Sequence, residues 1–463
     1  MTSLATEDET SPYSSTSVPG ADSLPTTGLS DVDVNNASGP GSNDTPPPIV
    51  ARKIRAKTEQ GQILQITVSD PVKQGDGIKA FISYKVNTKT DLPEFDMSQF
   101  SVIRRYSDFV WLFNQLSRDF KGYIVPPLPG KNVMNRFTPG FIETRRRGIE
   151  KCLNRIARHD TLRGSDHFKA FLEAKDDSFH IQKSAASDEA KSKKKSFFSW
   201  ITDTAASTYN NVRGSVKRER TPDDVRFDEI SEYVSQLEPQ LLSVAKCTTA
   251  MVGREQDLGA SLFDFGLAFT LMGQCESGAS LQAGLTKLGH TADSLSVQTK
   301  ETADREKERF EEQLKDYIRV VGSVKLAMKR RNEALNDLML AISNHAGKVE
   351  AHQALVGQPG KEAKAQQAMD DVVVAQTKED QAKKTFHVVQ QILFQEFDRF
   401  RREKTEDFRE IMLAYTKIRI EHCRAMEAEW NKLVPVLEAI EHDESGGYTS
   451  TANVGAAPDG DSI

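Results

Sequence analysis

The chain has 463 residues, 61 Lys+Arg against 67 Asp+Glu and a formal net charge of -6, with 28% charged and 8% aromatic residues. It is long enough for two or three domains, and its overall balance attracts no polyanion, so any affinity for anionic lipid or nucleic acid has to come from local patches. The four cysteines, Cys152, Cys247, Cys275 and Cys423, lie far apart without CxxC or Cys/His spacing. That argues against a disulfide framework and a structural zinc, fits a reducing cytosol, and leaves no metal or cofactor to expect.

Residues 1–48 are rich in Ser, Thr, Gly, Asp and Pro and nearly free of bulky apolar side chains, ending at Pro46-Pro47-Pro48. Such a segment buries too little surface to offset its ordering entropy and is read as a disordered tail. Its start, Met1 to Asp8, is acidic and lacks an apolar run, unlike a signal or transit peptide. No stretch approaches the ~20 apolar residues that span a bilayer, so membrane contact is expected to be peripheral.

Strand periodicity begins near Ile63, where Leu64, Ile66 and Val68 alternate with polar residues. It resumes through Ile78, Ala80, Ile82, Tyr84 and Val86, and again at Phe100 and Val102. This predicts three antiparallel strands joined by loops at 70–77 and 88–97. A helix over 106–119 follows, then the extended run Val125-Pro126-Pro127-Leu128-Pro129-Gly130-Lys131. That run resembles an SH3 ligand in isolation, but its place between two apolar-patterned helices favours an internal loop. The next helix is predicted over 139–158, with Phe141, Ile142, Ile149, Leu153 and Ile156 inward and Arg145, Arg146 and Arg147 near its start. A last helix holds Phe168, Phe171 and Leu172.

At the third strand's end stands Ile103-Arg104-Arg105-Tyr106-Ser107-Asp108-Phe109. An arginine pair at a strand-to-helix junction, beside an aromatic and a hydroxyl, suits a phosphate. The guanidinium fork pairs bidentately with its oxygens, the ring can lie against a sugar or inositol, and the helix start offers free N–H groups. The same pair also suits a solvated strand end.

Residues 60–175 resemble a phox-homology (PX) domain: three strands, then Arg-Arg-Tyr-Ser-Asp-Phe, a Pro-Pro-Leu-Pro loop ending in Lys, and Phe-Ile-Glu-Thr-Arg-Arg-Arg-Gly-Ile. The resemblance implies that Arg105 holds the 3-phosphate of phosphatidylinositol 3-phosphate, with Tyr106 supporting the inositol ring and Ser107 beside it. It places Lys131 at the 1-phosphate and Arg145 at the 4- and 5-hydroxyls. Val133 and Met134 lie where a membrane-dipping tip would be.

The linker that follows, residues 176–215, is Lys-rich (Lys183, Lys191, Lys193, Lys194, Lys195) and then amphipathic, with Phe197, Phe198, Trp200 and Ile201 leading. A helix of this kind inserts its apolar face at a bilayer interface while the lysines meet anionic lipid; docking on the rest of the protein is the alternative.

From 222 to 442 no strand is expected. Thr221 and Pro222 suit an N-cap and first turn. Three helices are predicted over 222–287, 294–356 and 361–441, with a turn near Gly278 or Gly289-His290 and another at Gly357-Gln358-Pro359-Gly360. The stripes are Leu258, Leu262, Phe265, Phe269 and Met272 in the first, and Phe310, Leu314, Tyr317, Val321, Val324, Met328, Leu335, Leu338 and Ile342 in the second. The third carries Val374, Val388, Phe394, Phe397, Phe400, Phe408, Ile411, Tyr415 and Ile418. At 1.5 Å per residue each helix runs on the order of 100 Å, too long to bury its stripe in one small globule, so an elongated three-helix coiled coil that dimerises is expected. Basic residues interrupt the pattern at Lys325, Lys329, Arg330 and Arg331, and at Arg399, Arg401, Arg402 and Lys404. Three kinked long helices behind a PX domain and an amphipathic helix resemble a Bin/amphiphysin/Rvs (BAR) domain. The resemblance implies that Lys325, Lys329, Arg330, Arg401, Arg402 and Lys404 are candidates for a basic membrane face. Residues 443–463 are read as a disordered tail.

The whole order resembles the PX-BAR sorting nexins of the retromer-associated type. The fold class expected is α+β followed by all-α. The resemblance implies a peripheral protein on the cytosolic face of early endosomes that binds phosphatidylinositol 3-phosphate or 3,5-bisphosphate. It further implies homodimers or heterodimers with another BAR-type sorting nexin, contact with the retromer core complex, membrane curvature sensing or remodelling, and endosome-to-Golgi retrograde sorting, with no nucleic-acid partner. A PX adaptor that tethers without tubulating membrane is the rival reading. An enzyme addressed by its PX domain is disfavoured, because no glycine-rich loop before Lys, HRD-type run or paired phosphodiesterase motif follows residue 175.

Overall fold

A computed structural model describes residues 64–77, 80–130, 137–175, 178, 179, 181, 183 and 220–441. Lys131, Val133, Met134, the amphipathic segment with Phe197, Phe198, Trp200 and Ile201, and both expected tails lie outside the described residues. Among those described, three strands pair antiparallel in the order β1-β2-β3: β1 Leu64–Gln74, β2 Phe81–Thr90 and β3 Gln99–Arg105. The loop expected at 70–77 is mostly strand. Pro71 cannot donate to the ladder, and the chain absorbs it in a bulge between Ser69 and Val72, with Asp70 at φ +49°, before pairing resumes to Gln74.

The alternating residues Leu64, Ile66, Val68, Tyr84 and Val86 face one core with α1 (Tyr106–Asp119), α2 (Pro139–Arg158) and α4 (Asp166–Glu173); the single turn α3 spans Asp160–Arg163. Arg104, the first of the arginine pair, is 1% exposed. It hydrogen-bonds the carbonyls of Phe171 (3.0 Å) and Ala174 (2.5 Å) and lies over the Phe179 ring at 4.2 Å. It therefore ties the strand to the end of α4.

The remaining helices are α5 (Pro222–Cys275), α6 (Ala279–Glu306), α7 (Glu312–Gln353) and α8 (Glu362–Glu438), with α6 and α7 joined by a π-helical turn at Lys307–Glu311. Thr221 caps α5 in a reciprocal box with Asp224, and Pro222 stands in the first turn. The first turn between helices lies at 276–278, so Gly278 marks it and α5 is twelve residues shorter than predicted, ending at 275 rather than 287. Gly289 is helical for a packing reason: a Cβ there would meet Thr270 Oγ1 at 2.1 Å and Gly266 O at 2.7 Å. Gly259 and Gly273 also approach α6 closely, near Lys300 and Ser296 and near Gln282 and Thr286, where a Cβ would come within 2.8 Å of its nearest neighbour. Glycines, ordinarily unfavourable inside a helix, thus bring two antiparallel helices together.

The consequence for α5 is a reversal. Gly259, Gly266 and Gly273 are buried, whereas Leu258, Phe265 and Met272 of the predicted inward stripe are 47%, 44% and 52% exposed. This mostly unburied helix is long and apolar enough, by length and composition alone, to cross a membrane. Counting unbroken apolar runs passes over it because glycines and Asp264 interrupt the stretch. In α7 the stripe Leu314, Tyr317, Val321, Val324, Met328 and Leu338 is buried as expected. In α8, Phe394, Phe397, Phe400, Ile411 and Ile418 are buried, but Val374 and Val388 are exposed and Val372, Ala375 and Val389 take the inner positions.

Candidate functional site

Four elements converge at the end of β3. Arg105 is the N-cap of α1, in extended backbone at φ -94°, ψ 160°. Its own N–H donates to Asp108 Oδ2 at 2.9 Å, which anchors the strand-to-helix corner. Its side chain, 42% exposed, lies over the Phe81 ring at 5.6 Å and 3.6 Å from Asp108 Oδ1, with Nε making no hydrogen bond. Ser107 is exposed beside it. Tyr106 turns the other way and donates its hydroxyl to the Pro129 carbonyl, so the proline loop is latched to the head of α1. Burial pushes the Tyr106 pKa well up, which keeps that donor protonated.

Arg145 enters from α2, 8% exposed. Its guanidinium sits between the Tyr106 ring (4.2 Å) and the Phe141 ring (4.3 Å), touches the Gly130 carbonyl at 3.4 Å, and leaves Nε unbonded. Burial lowers its pKa, partly offset by Tyr106 and Tyr84, and no carboxylate is among the groups acting on it. A guanidinium does not deprotonate in practice, so this is a desolvated cation held by two aromatic faces and, among the described residues, lacking an anion. Tyr106 thus serves the site by fixing Arg145 and the proline loop. Sequence reasoning missed Phe141 as a site residue; its i,i+4 spacing to Arg145 on a helix was the available signal.

The three consecutive arginines point three ways. Arg146 binds Glu143, Glu150 and the Val68 carbonyl. Arg147 reaches Glu312 of α7 at 3.0 Å. Two further cations of α2, Lys151 and Arg155, converge on the buried Asp316 at 2.7 and 2.8 Å. Burial pushes the Asp316 carboxyl up, but Arg155, Lys151 and Arg319 outweigh it and hold the group well below the usual carboxylate range. Glu396 of α8 accepts from the Ile124 N–H (3.0 Å) and lies 3.1 Å from His159 Nε2. Apolar side chains cross as well: Ile124 belongs to the bundle's cluster and Leu326 packs on the sheet's core. Gly122, at φ +89°, permits an approach where a Cβ would meet the Val389 carbonyl at 2.7 Å. The site domain is therefore fastened to α7 and α8 through the helix that carries Arg145.

The basic residues of the long helices are unevenly available. Lys325 pairs with Glu238 at 2.8 Å and Arg330 with Glu333 at 2.8 Å. Arg331 is buried between the Phe227 and Phe386 rings and bonds Asp224 and Gln390, a core role. Lys404 lies 5.8 Å from both the Tyr233 and Phe408 rings. Arg401 and Arg402 are exposed and Lys329 is half-buried. Among the described residues, no His/Cys/Asp/Glu group has the arrangement of a metal site.

Comparison with known proteins matches residues 92–175 to the PX domain family and residues 202–436 to the family described as Vps5 C terminal like. The chain is 32% identical to Sorting nexin 1 of Arabidopsis thaliana over 81% of its own length and 93% of that protein's. It is 26% identical to Sorting nexin-1 of Homo sapiens, covering 86% and 77%. In fold it is similar to the cryo-EM structure of the SNX-BAR Mvp1 tetramer, with a TM-score of 0.59 and 16% identity over 80% of this chain and 99% of that one. The chain belongs to the PX-BAR sorting nexins, non-enzymatic lipid-binding adaptors that associate peripherally with membranes.

Proposed function

We propose that the chain is a phosphoinositide-binding sorting nexin that senses or remodels curved membrane in endosomal sorting and endosome-to-Golgi retrograde transport. Its lipid is phosphatidylinositol 3-phosphate or the 3,5-bisphosphate, held by Arg105, Tyr106, Ser107, Lys131 and Arg145. The observation that carries this reading is the desolvated Arg145 cation, clamped by Tyr106 and Phe141 with an unbonded Nε and, among the described residues, no carboxylate acting on it. An anionic, hydroxyl-bearing headgroup satisfies both the charge and the free donors. The partners are a second BAR-type sorting nexin or a second copy of the chain, which covers Leu258, Phe265 and Met272, and the retromer core complex. The amphipathic sequence Phe197, Phe198, Trp200 and Ile201 and the exposed cations Arg401 and Arg402 engage the bilayer on the cytosolic face of early endosomes.

The test is binding of the full chain to vesicles bearing each phosphoinositide. Arg105→Ala and Arg145→Ala each remove a charge-assisted contact of about 1.5–3 kcal/mol and should weaken binding about tenfold or more. Wild-type recruitment of both variants at low lipid density overturns the site. Electron microscopy of the same vesicles separates tubulation from mere tethering.

A further inference from the structure

Past α4, Ser178, Phe179, Ile181 and Lys183 are helical, and they lie beyond the stretch matched to the PX family. Phe179 is buried against Trp111 and Phe171, with ring centroids 5.1 and 5.9 Å away, and supports Arg104. This docking brings Lys183 Nζ to 2.5 Å from Asp108 Oδ1. Asp108 is the buried acid at the root of the phosphate corner, and both of its oxygens are occupied: Oδ2 by the Arg105 N–H and Oδ1 by Lys183. Arg105 Nε lies 3.6 Å from that same Oδ1, a loose ion pair too long for a hydrogen bond, and Nε makes no other bond.

We propose that Lys183 is a positioning residue for the phosphate site: by occupying Asp108 it keeps the Arg105 guanidinium from closing onto its own carboxylate and leaves it for a lipid phosphate. The inference rests on reading Arg105 as a phosphate ligand. Without Lys183, a buried carboxylate with an unshared lone pair stands next to a half-exposed guanidinium. The loose pair then closes to hydrogen-bond distance, and a phosphate has to compete with an internal anion for the same donors. The segment leading toward the Lys-rich linker thereby sets the affinity of the headgroup site without touching the headgroup.

The test titrates the full chain with soluble dibutanoyl phosphatidylinositol 3-phosphate, so that avidity plays no part. Lys183→Met should weaken binding about three- to fivefold, the scale of one partly exposed ion pair. Lys183→Arg should bind as the parent does. Asp108→Asn keeps an oxygen for the Arg105 N–H, and the Asp108→Asn/Lys183→Met double variant should recover parental affinity because no internal anion remains. If Lys183→Met binds normally while Arg105→Ala does not, Lys183 has no positioning role. If the double variant stays weak, loss of segment docking is the cause and the proposal falls. If Arg105→Ala itself binds normally, the phosphate site has been misassigned.

Discussion

Asp316→Asn isolates the junction between the lipid-binding domain and the long helices. Asn keeps the shape and one acceptor but removes the single carboxylate on which Lys151 (2.7 Å), Arg155 (2.8 Å) and Arg319 (3.3 Å) converge. Stripping one partner from a fully buried pair costs about 3–5 kcal/mol. Lys151 and Arg155 keep 34% and 19% of their side chains exposed, and Arg155 lies 3.7 Å from Asp407, so water and a second acid accommodate part of the stranded charge. The expected loss is therefore about 2–3 kcal/mol. In calorimetry of the full chain that corresponds to a fall in melting midpoint of about 3–4 °C. A control comes from Lys348–Asp371, which at 2.9 Å matches the pair in distance but exposes both side chains. Asp371→Asn should leave the midpoint where it is. If the two substitutions behave alike, the buried network is not what joins the halves.

Three further outcomes are expected. Glu396 is pulled to a pKa of about 2, because His159 and Arg399 outweigh the effect of burial. Its contribution is therefore present above the ordinary glutamate range and is lost as pH falls through about 4 toward about 2, so Glu396→Gln should flatten the acid limb of a stability-versus-pH curve; an unchanged acid limb refutes this. Gly289→Ala drives a Cβ into the Gly266 carbonyl and Thr270. It should cost about 1–3 kcal/mol in denaturant unfolding, and a neutral result would mean that α5 and α6 are free to separate. Leu258→Asp/Phe265→Asp charges the exposed stripe of α5 and should convert a dimer to a monomer by light scattering, whereas an unchanged mass moves the self-association surface elsewhere.

Periodicity made the strands, the helical half and the α7 stripe legible, because alternation and three-to-four spacing follow directly from which face is covered. It failed where packing reverses the usual sign. A glycine in a helix reads as a breaker, yet Gly259, Gly266 and Gly289 let α5 and α6 touch, and the large apolar residues beside them turn outward. Spacing alone puts Val374 and Val388 inward, but over a helix of 77 residues the inner face drifts, and Val372 and Val389 hold it instead. The arginine motif located the corner but not the division of labour within it. Arg104 and Arg105 alternate across a strand, so one is buried and the other is available, which a period of two does predict. The i,i+4 spacing of Phe141 is a local sign of the ring against Arg145, but nothing local reveals that Arg147, Lys151 and Arg155 reach α7, since their partners there lie more than 150 residues away.

That division has a functional consequence that affinity measurements can resolve. One face of α2 holds Arg145 over the Tyr106 ring at the proposed headgroup site, and another is locked to α7 through Asp316. A single headgroup site is weak, and membrane attachment becomes strong only when linked sites engage together at a high effective concentration. The gain depends on the linkage holding the site at a fixed attitude to the helices. Asp316→Asn touches no group at the Arg105–Arg145 corner, so its affinity for soluble phosphatidylinositol 3-phosphate should equal the parent's, while its binding to vesicles of the same lipid should fall. Arg145→Ala should lower both. If Asp316→Asn lowers both, the ion network shapes the lipid site itself; if it lowers neither, fixed docking contributes nothing to membrane attachment.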